Sequence, residues 1–91
     1  MNDPFVLRLA RGFVSRLQRE AKGDEGRITL SFRLAFGRPP SSEERETALA
    51  ALAKMRAKLR ESGEQADRVE ARAWEAYTRA VFMSNELVYV N

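Results

Sequence analysis

Apolar residues recur at three- and four-residue spacing through most of this chain, which is the signature of amphipathic helices packed on one core. Asn2-Asp3-Pro4 opens the first of them, with Asn2 or Asp3 as cap and proline in the first turn, where its missing N–H has no intrahelical partner. Phe5, Val6, Leu9, Ala10, Phe13, Val14 and Leu17 then mark an apolar side, and Arg8, Arg11, Arg16, Gln18 and Arg19 fill the other positions. This pattern predicts a helix from residue 4 to 21 or 22. Gly23-Asp24-Glu25-Gly26 reads as a loop. Residues 27–36 form a shorter and more apolar stretch. Ile28, Leu30, Leu34 and Phe36 alternate well enough to admit a strand, whose only candidate partner is Leu87–Val90. Helix is preferred, because Ile28, Leu30 or Ser31, Phe32, Ala35 and Phe36 can line one broad face and Gly37 stands at the stop position.

A third helix is predicted over 42–62. Ala48, Leu49, Leu52, Met55 and Leu59 make its buried stripe, Lys54, Arg56, Lys58 and Arg60 lie mostly off it, and Gly63 ends it. A fourth follows over 65–84, with Val69, Ala73, Trp74, Tyr77, Ala80, Val81 and Phe82 on its apolar side. Ser84-Asn85 then leads into Leu87-Val88-Tyr89-Val90, read as an extended apolar end.

The sharpest local signal is the junction from Phe36 to Glu44. Gly37 can take the left-handed conformation that closes a helix. Pro39 and Pro40 forbid its continuation. Ser41 with Glu44 three residues on forms a capping box for the next helix. Arg38 sits between stop and start. It is read as structural, hydrogen-bonding carbonyls at the end of the second helix or pairing with Glu43, Glu86 or another carboxylate. The competing reading is an anion clamp at the third helix's N-terminus.

With short connections favouring antiparallel neighbours, the expected architecture is all-α. It is a compact, mainly antiparallel four-helix bundle with a short second helix, spanning 1–91 as one domain. Its expected core is Val6, Leu9, Phe13, Leu17, Phe32, Leu34, Leu52, Met55, Leu59, Trp74, Tyr77 and Val81.

Composition narrows the chemistry. A chain of 91 residues supports one modest core and little room for a deep cavity. It has no cysteine and no histidine, so disulfides, thiolate metal sites and the commonest general base are all missing. No apolar run approaches the roughly 20 residues that span a bilayer. The start does not read as a signal peptide, because Met1-Asn2-Asp3-Pro4 lacks a basic region and Arg8 and Arg11 interrupt the apolar residues. The net charge of +3 permits acidic partners without demanding one.

Three motifs in order resemble a known family. They are Asn2-Asp3-Pro4-Phe5-Val6; Leu34 through Gly37-Arg38-Pro39-Pro40 to Glu44; and Ser84-Asn85-Glu86-Leu87-Val88-Tyr89-Val90, with Ala73-Trp74 between the last two. They are similar to the C-terminal end of the planctomycete "PSD-one" domain family, large multidomain proteins of unknown function that often carry a cytochrome-c-like module. Phe32 stands where that family usually has tyrosine, Phe36 replaces leucine, and Leu87-Val88 replaces Phe-Leu. The resemblance implies a fragment of a longer, exported or periplasmic protein, with the upstream domains of the same polypeptide as its partner. The family's haem-binding Cys-x-x-Cys-His is absent, so no haem role carries over.

The expected function is therefore a non-catalytic structural or interaction module, with no catalytic, cofactor-binding or metal residues and no cofactor. Serine nucleophiles lack a histidine partner. The carboxylates, Glu86 apart, lack an apolar setting that would raise their pKa. Trp74, Tyr77 and Phe82 at helical spacing read as core. Leu87, Val88, Tyr89 and Val90, with Met1–Val6, are the candidate interface, capable of weak self-association. The alternative is a free-standing basic helical domain that binds nucleic acid. Against it, Glu43, Glu44, Glu46, Glu61, Glu70 and Glu75 interleave with the basic residues, and no aromatic–basic platform is evident.

Overall fold

The computed structural model describes the backbone of residues 4–90 and the side chains of 4–84. The proposed caps Asn2 and Asp3 lie outside the described residues. Four helices follow one another among the described residues: α1 (Pro4–Glu20), α2 (Gly23–Phe36), α3 (Ser42–Glu61) and α4 (Ala66–Val90). They form a mainly antiparallel bundle in which α2 is the shortest at 14 residues. Helix α4 is the axle. It packs on all three others, whereas α1 and α3 do not touch.

The core is built from Val14, Leu17, Ile28, Phe32, Ala48, Leu52, Trp74, Tyr77 and Val81. Trp74 is fully buried and meets Tyr77 edge-on, with centroids 5.2 Å apart. Phe13 packs edge-on against Phe82 at 5.3 Å and joins α1 to α4. Of the expected core, Val6, Phe13, Leu34, Met55 and Leu59 are only half-buried, as befits a bundle too small to enclose every stripe. Leu9 is not core at all, being 49% exposed. Ala10, Val14 and Leu17 take the inner side of α1, which turns Phe5, Leu9 and Gly12 outward in one row.

Two boundaries differ from the sequence reading. Residues 23–26 are the first turn of α2, not a loop. Gly23, at φ 73°, makes the sharp entry after the extended Lys22. Asp24 and Glu25 then favour the positive end of the helix. Two glycines weaken this turn by propensity, but Asp24 is held from α3 by Arg56. The second difference is at the end of the chain, where Leu87–Val90 is helical backbone rather than extended. No glycine or proline interrupts residues 64–91. Ser84 turns its hydroxyl back to Ala80 O at 3.1 Å, a bond that a helix accommodates. Each added residue then extends an existing helix without a new nucleation cost.

Helix α3 closes with paired bonds, Gly63 N–H to Arg60 O and Glu64 N–H to Leu59 O, around Gly63 at φ 85°. This is the Schellman arrangement, and it directs the chain straight back into α4.

Candidate functional site

The junction between α2 and α3 carries the densest polar geometry. Gly37 is left-handed at φ 73°, and its N–H bonds Arg33 O at 3.0 Å. Pro40 is buried, which anchors the linker to the bundle. Ser41 Oγ then accepts from Glu44 N–H at 3.1 Å, and Glu44 Oε1 accepts from Ser41 N–H at 2.8 Å, completing the capping box.

Arg38 closes on the same carboxylate. Its two terminal nitrogens donate to Glu44 Oε1 and Oε2 at 2.7 and 2.9 Å, and one also reaches Pro39 O at 3.2 Å. The guanidinium lies 5.8 Å from the Phe32 ring centroid and 5.9 Å from that of Phe36. Gly37, Arg38, Pro39, Pro40, Ser41 and Glu44 thus act as one unit, a helix stop and start locked by a forked ion pair. The Arg38 hydrogen bonds, followed by the Ser41 N–H, hold the Glu44 carboxyl down to about 2. A permanently ionised acceptor of this kind caps a helix and is the opposite of a general acid.

Below this lock lies an open groove of about 890 Å³ between the end of α2, the first half of α3 and the second half of α4. Phe32, Phe36, Ala48, Ala51, Met55 and Val81 line its apolar walls, with Arg38, Glu43 and Glu44 at its edge. Its floor includes Tyr77, whose hydroxyl lies 2.7 Å from Ser31 Oγ. Ser31 in turn donates to Ile28 O at 2.7 Å, so Tyr77 is the donor to Ser31. Burial pushes the Tyr77 hydroxyl upward, against the opposing effect of that bond. This buried bond fixes α2 against α4.

A second constellation was not visible in the sequence. Arg56, its side chain only 16% exposed, makes two forked pairs. Its terminal nitrogens donate to both Asp24 oxygens at 2.8 Å, and Nε with one terminal nitrogen donates to Glu70 at 2.7 and 2.8 Å. One cation thereby ties α2, α3 and α4 together. Hydrogen bonds from Arg56 lower both carboxyl groups, and the two carboxylates raise Arg56. The partners lie 32 and 14 residues away in the chain, so no local spacing could reveal them.

The arginines of α1 and α4 meet at a small cleft of about 220 Å³ lined by Arg11, Arg68, Arg72 and Glu75. Glu75 pairs with Arg11 at 3.7 Å and Glu64 with Arg72 at 2.9 Å, so the cleft is a mixed-charge surface. Among the described residues no cluster of three acidic, histidine or cysteine groups could hold a metal, and no helix is long and apolar enough to cross a membrane. The side chains of Leu87, Val88, Tyr89 and Val90 lie outside the described residues, so the candidate interface there has a helical backbone and no side-chain geometry. Comparison with family models, with curated proteins and with solved structures returns no match for this chain.

Proposed function

We infer that this chain is a non-catalytic helical interaction module that docks onto upstream domains of the polypeptide to which it belongs. The open apolar groove beside the Arg38–Glu44 lock carries this reading. An exposed apolar groove rimmed by a few charges is a kind of surface that a partner's helix or chain can cover. The strongly placed carboxylates, Asp24, Glu44 and Glu70, are all shifted toward the ionised form, so they serve as acceptors in the scaffold rather than as proton donors. The resemblance of the three motifs to the C-terminal end of the planctomycete PSD-one family adds the expectation of a large exported parent protein.

Calorimetric titration of this chain with the segment encoded upstream of it tests the proposal. Saturable one-to-one binding is expected. Absence of binding, or turnover of a substrate by the isolated chain, would refute it. The nucleic-acid alternative is tested by fluorescence anisotropy with a random DNA duplex between about 50 and 200 mM salt. Arg11, Arg16, Arg56 and Arg72 are paired with neighbouring carboxylates, which lowers the positive charge that these helices present, and no saturable, salt-dependent binding is expected.

A further inference from the structure

We propose that the cleft between α1 and α4 binds a phosphoryl group, as inorganic phosphate or a phosphate monoester, between the guanidinium groups of Arg11, Arg68 and Arg72. The cleft shares no residue with the apolar groove, so this site stands apart from the docking reading.

The first observation is convergence. Arg11 comes from the middle of α1, and Arg68 and Arg72 come from the first two turns of α4, yet all three line one cleft of about 220 Å³. A spacing of four residues puts Arg68 and Arg72 on one side of α4, where like charges repel each other unless an anion lies between them. Arg11 completes the lining from α1, and Ala71 has too short a side chain to fill the space.

The second observation is unused donors. The arginines that hold the bundle together spend their forks on carboxylates, Arg38 on Glu44 and Arg56 on Asp24 and Glu70. The cleft arginines do not. Arg11 approaches Glu75 only to 3.7 Å, beyond hydrogen-bond range, and its side chain is 62% exposed. Arg72 meets Glu64 through Nε at 2.9 Å with half of its side chain in solvent. Arg68 is exposed and has no ion pair among the described residues. Glu75 is the one carboxylate in the lining, and Glu64 lies beyond it, so a positive excess remains after both are counted.

The third observation is size and shape. Pockets that enclose a whole drug-sized molecule run to about 300–1,000 Å³. This cleft is smaller and open, which suits a compact charged group whose remainder stays in water. A carboxylate is satisfied by one guanidinium fork, as Glu44 is by Arg38. A phosphoryl group offers more oxygens and more charge, and it takes donors from several directions. Arg68 lies in the first turn of α4, where the positive end of the helix dipole adds to the attraction. A nucleic-acid duplex needs a run of such contacts along its backbone, and one cleft supplies a single seat.

The test is titration of sodium phosphate into the isotope-labelled chain at constant ionic strength, followed by proton–nitrogen correlation spectra that include the arginine Nε–H signals. Arg11, Arg68 and Arg72 should shift together and saturate with one Kd on the order of 1 mM. Acetate should shift them without saturation. Tighter binding of ribose 5-phosphate than of phosphate would place the group on a larger molecule, and equal affinities would assign free phosphate. Arg68→Gln should weaken binding at least about 5-fold, and Glu75→Gln, which removes the competing carboxylate, should tighten it about 3-fold. Arg60→Gln, at an exposed position of α3 outside the cleft, should leave it unchanged. Circular dichroism melts should show that all three variants remain folded. Shifts that never saturate, or an equal loss with Arg60→Gln, would mean diffuse attraction to net charge and overturn the site. Unchanged affinity in Arg68→Gln overturns it too, as does a Glu75→Gln chain that binds no more tightly. Saturable binding of a random DNA duplex that Arg68→Gln abolishes would assign these arginines to a nucleic-acid backbone, and the proposal would fail.

Discussion

Replacing Arg56 with methionine should remove the cation that joins α2, α3 and α4 while keeping a long, unbranched side chain of good helix propensity. The wild-type guanidinium makes four charge-assisted hydrogen bonds at 2.7–2.8 Å to Asp24 and Glu70. Fully buried, bonds to charged groups contribute about 1.5–3 kcal/mol each, whereas exposed ion pairs contribute about 0.2–1 kcal/mol. The side chains of Asp24 and Glu70 are 36% and 51% exposed, so water screens both partners and the lower range governs. Two forked pairs, together with the repulsion between the two carboxylates once the cation is gone, give an expected loss of about 2 kcal/mol. For a domain of this size that lowers Tm by about 8–16 °C.

Urea denaturation, followed by far-ultraviolet circular dichroism and by the fluorescence of the single, fully buried Trp74, measures the loss directly. The pH dependence supplies a second check. Asp24 and Glu70 titrate lower in the folded chain than their ordinary values of 3.8 and 4.5. Their contribution is therefore complete above those values and fades as the pH falls through the lowered folded ones. The gap between wild type and Arg56→Met should be constant near neutral pH and narrow below about pH 4. A loss under about 0.5 kcal/mol at neutral pH, or a gap unchanged in acid, would refute the reasoning.

Trp74→Ala should cost about 3–5 kcal/mol in the same assay, because it opens a cavity at the centre of the bundle, and a loss under about 1 kcal/mol would contradict the burial of the ring. Ser41→Ala should cost about 0.5–2 kcal/mol and Ser42→Ala much less, since only Ser41 accepts from the Glu44 N–H; the reverse order in chemical denaturation would move the cap. Tyr77→Phe should cost about 0.5–1.5 kcal/mol, because Ser31 keeps its bond to Ile28 O. Ser31→Ala should cost more, since it strips the buried Tyr77 hydroxyl of its acceptor, and equal losses in urea titrations would contradict that ranking.

The helices, their number and the α2–α3 junction were legible in the chain because each depends on neighbours in sequence. A glycine that can go left-handed, two prolines and a serine three residues before a glutamate act within a turn or two of the backbone. The apolar stripes of α3 and α4 follow from the 3.6-residue period in the same way. Residues 23–26 and 87–90 misled because local propensity there was weak; Arg56 of α3 holds Asp24 in the first turn of α2, and 87–90 continue a helix that is already nucleated. Leu9 could not be placed from spacing alone. Helix α1 offers apolar residues on two sides, and only the position of α4 decides which side is inside. The forked pairs of Arg56, the Ser31–Tyr77 bond and the groove belong wholly to the tertiary structure. Each joins residues far apart in the chain, and a side chain's partner across a bundle is set by the rotation and crossing of helices, which no short window of sequence encodes.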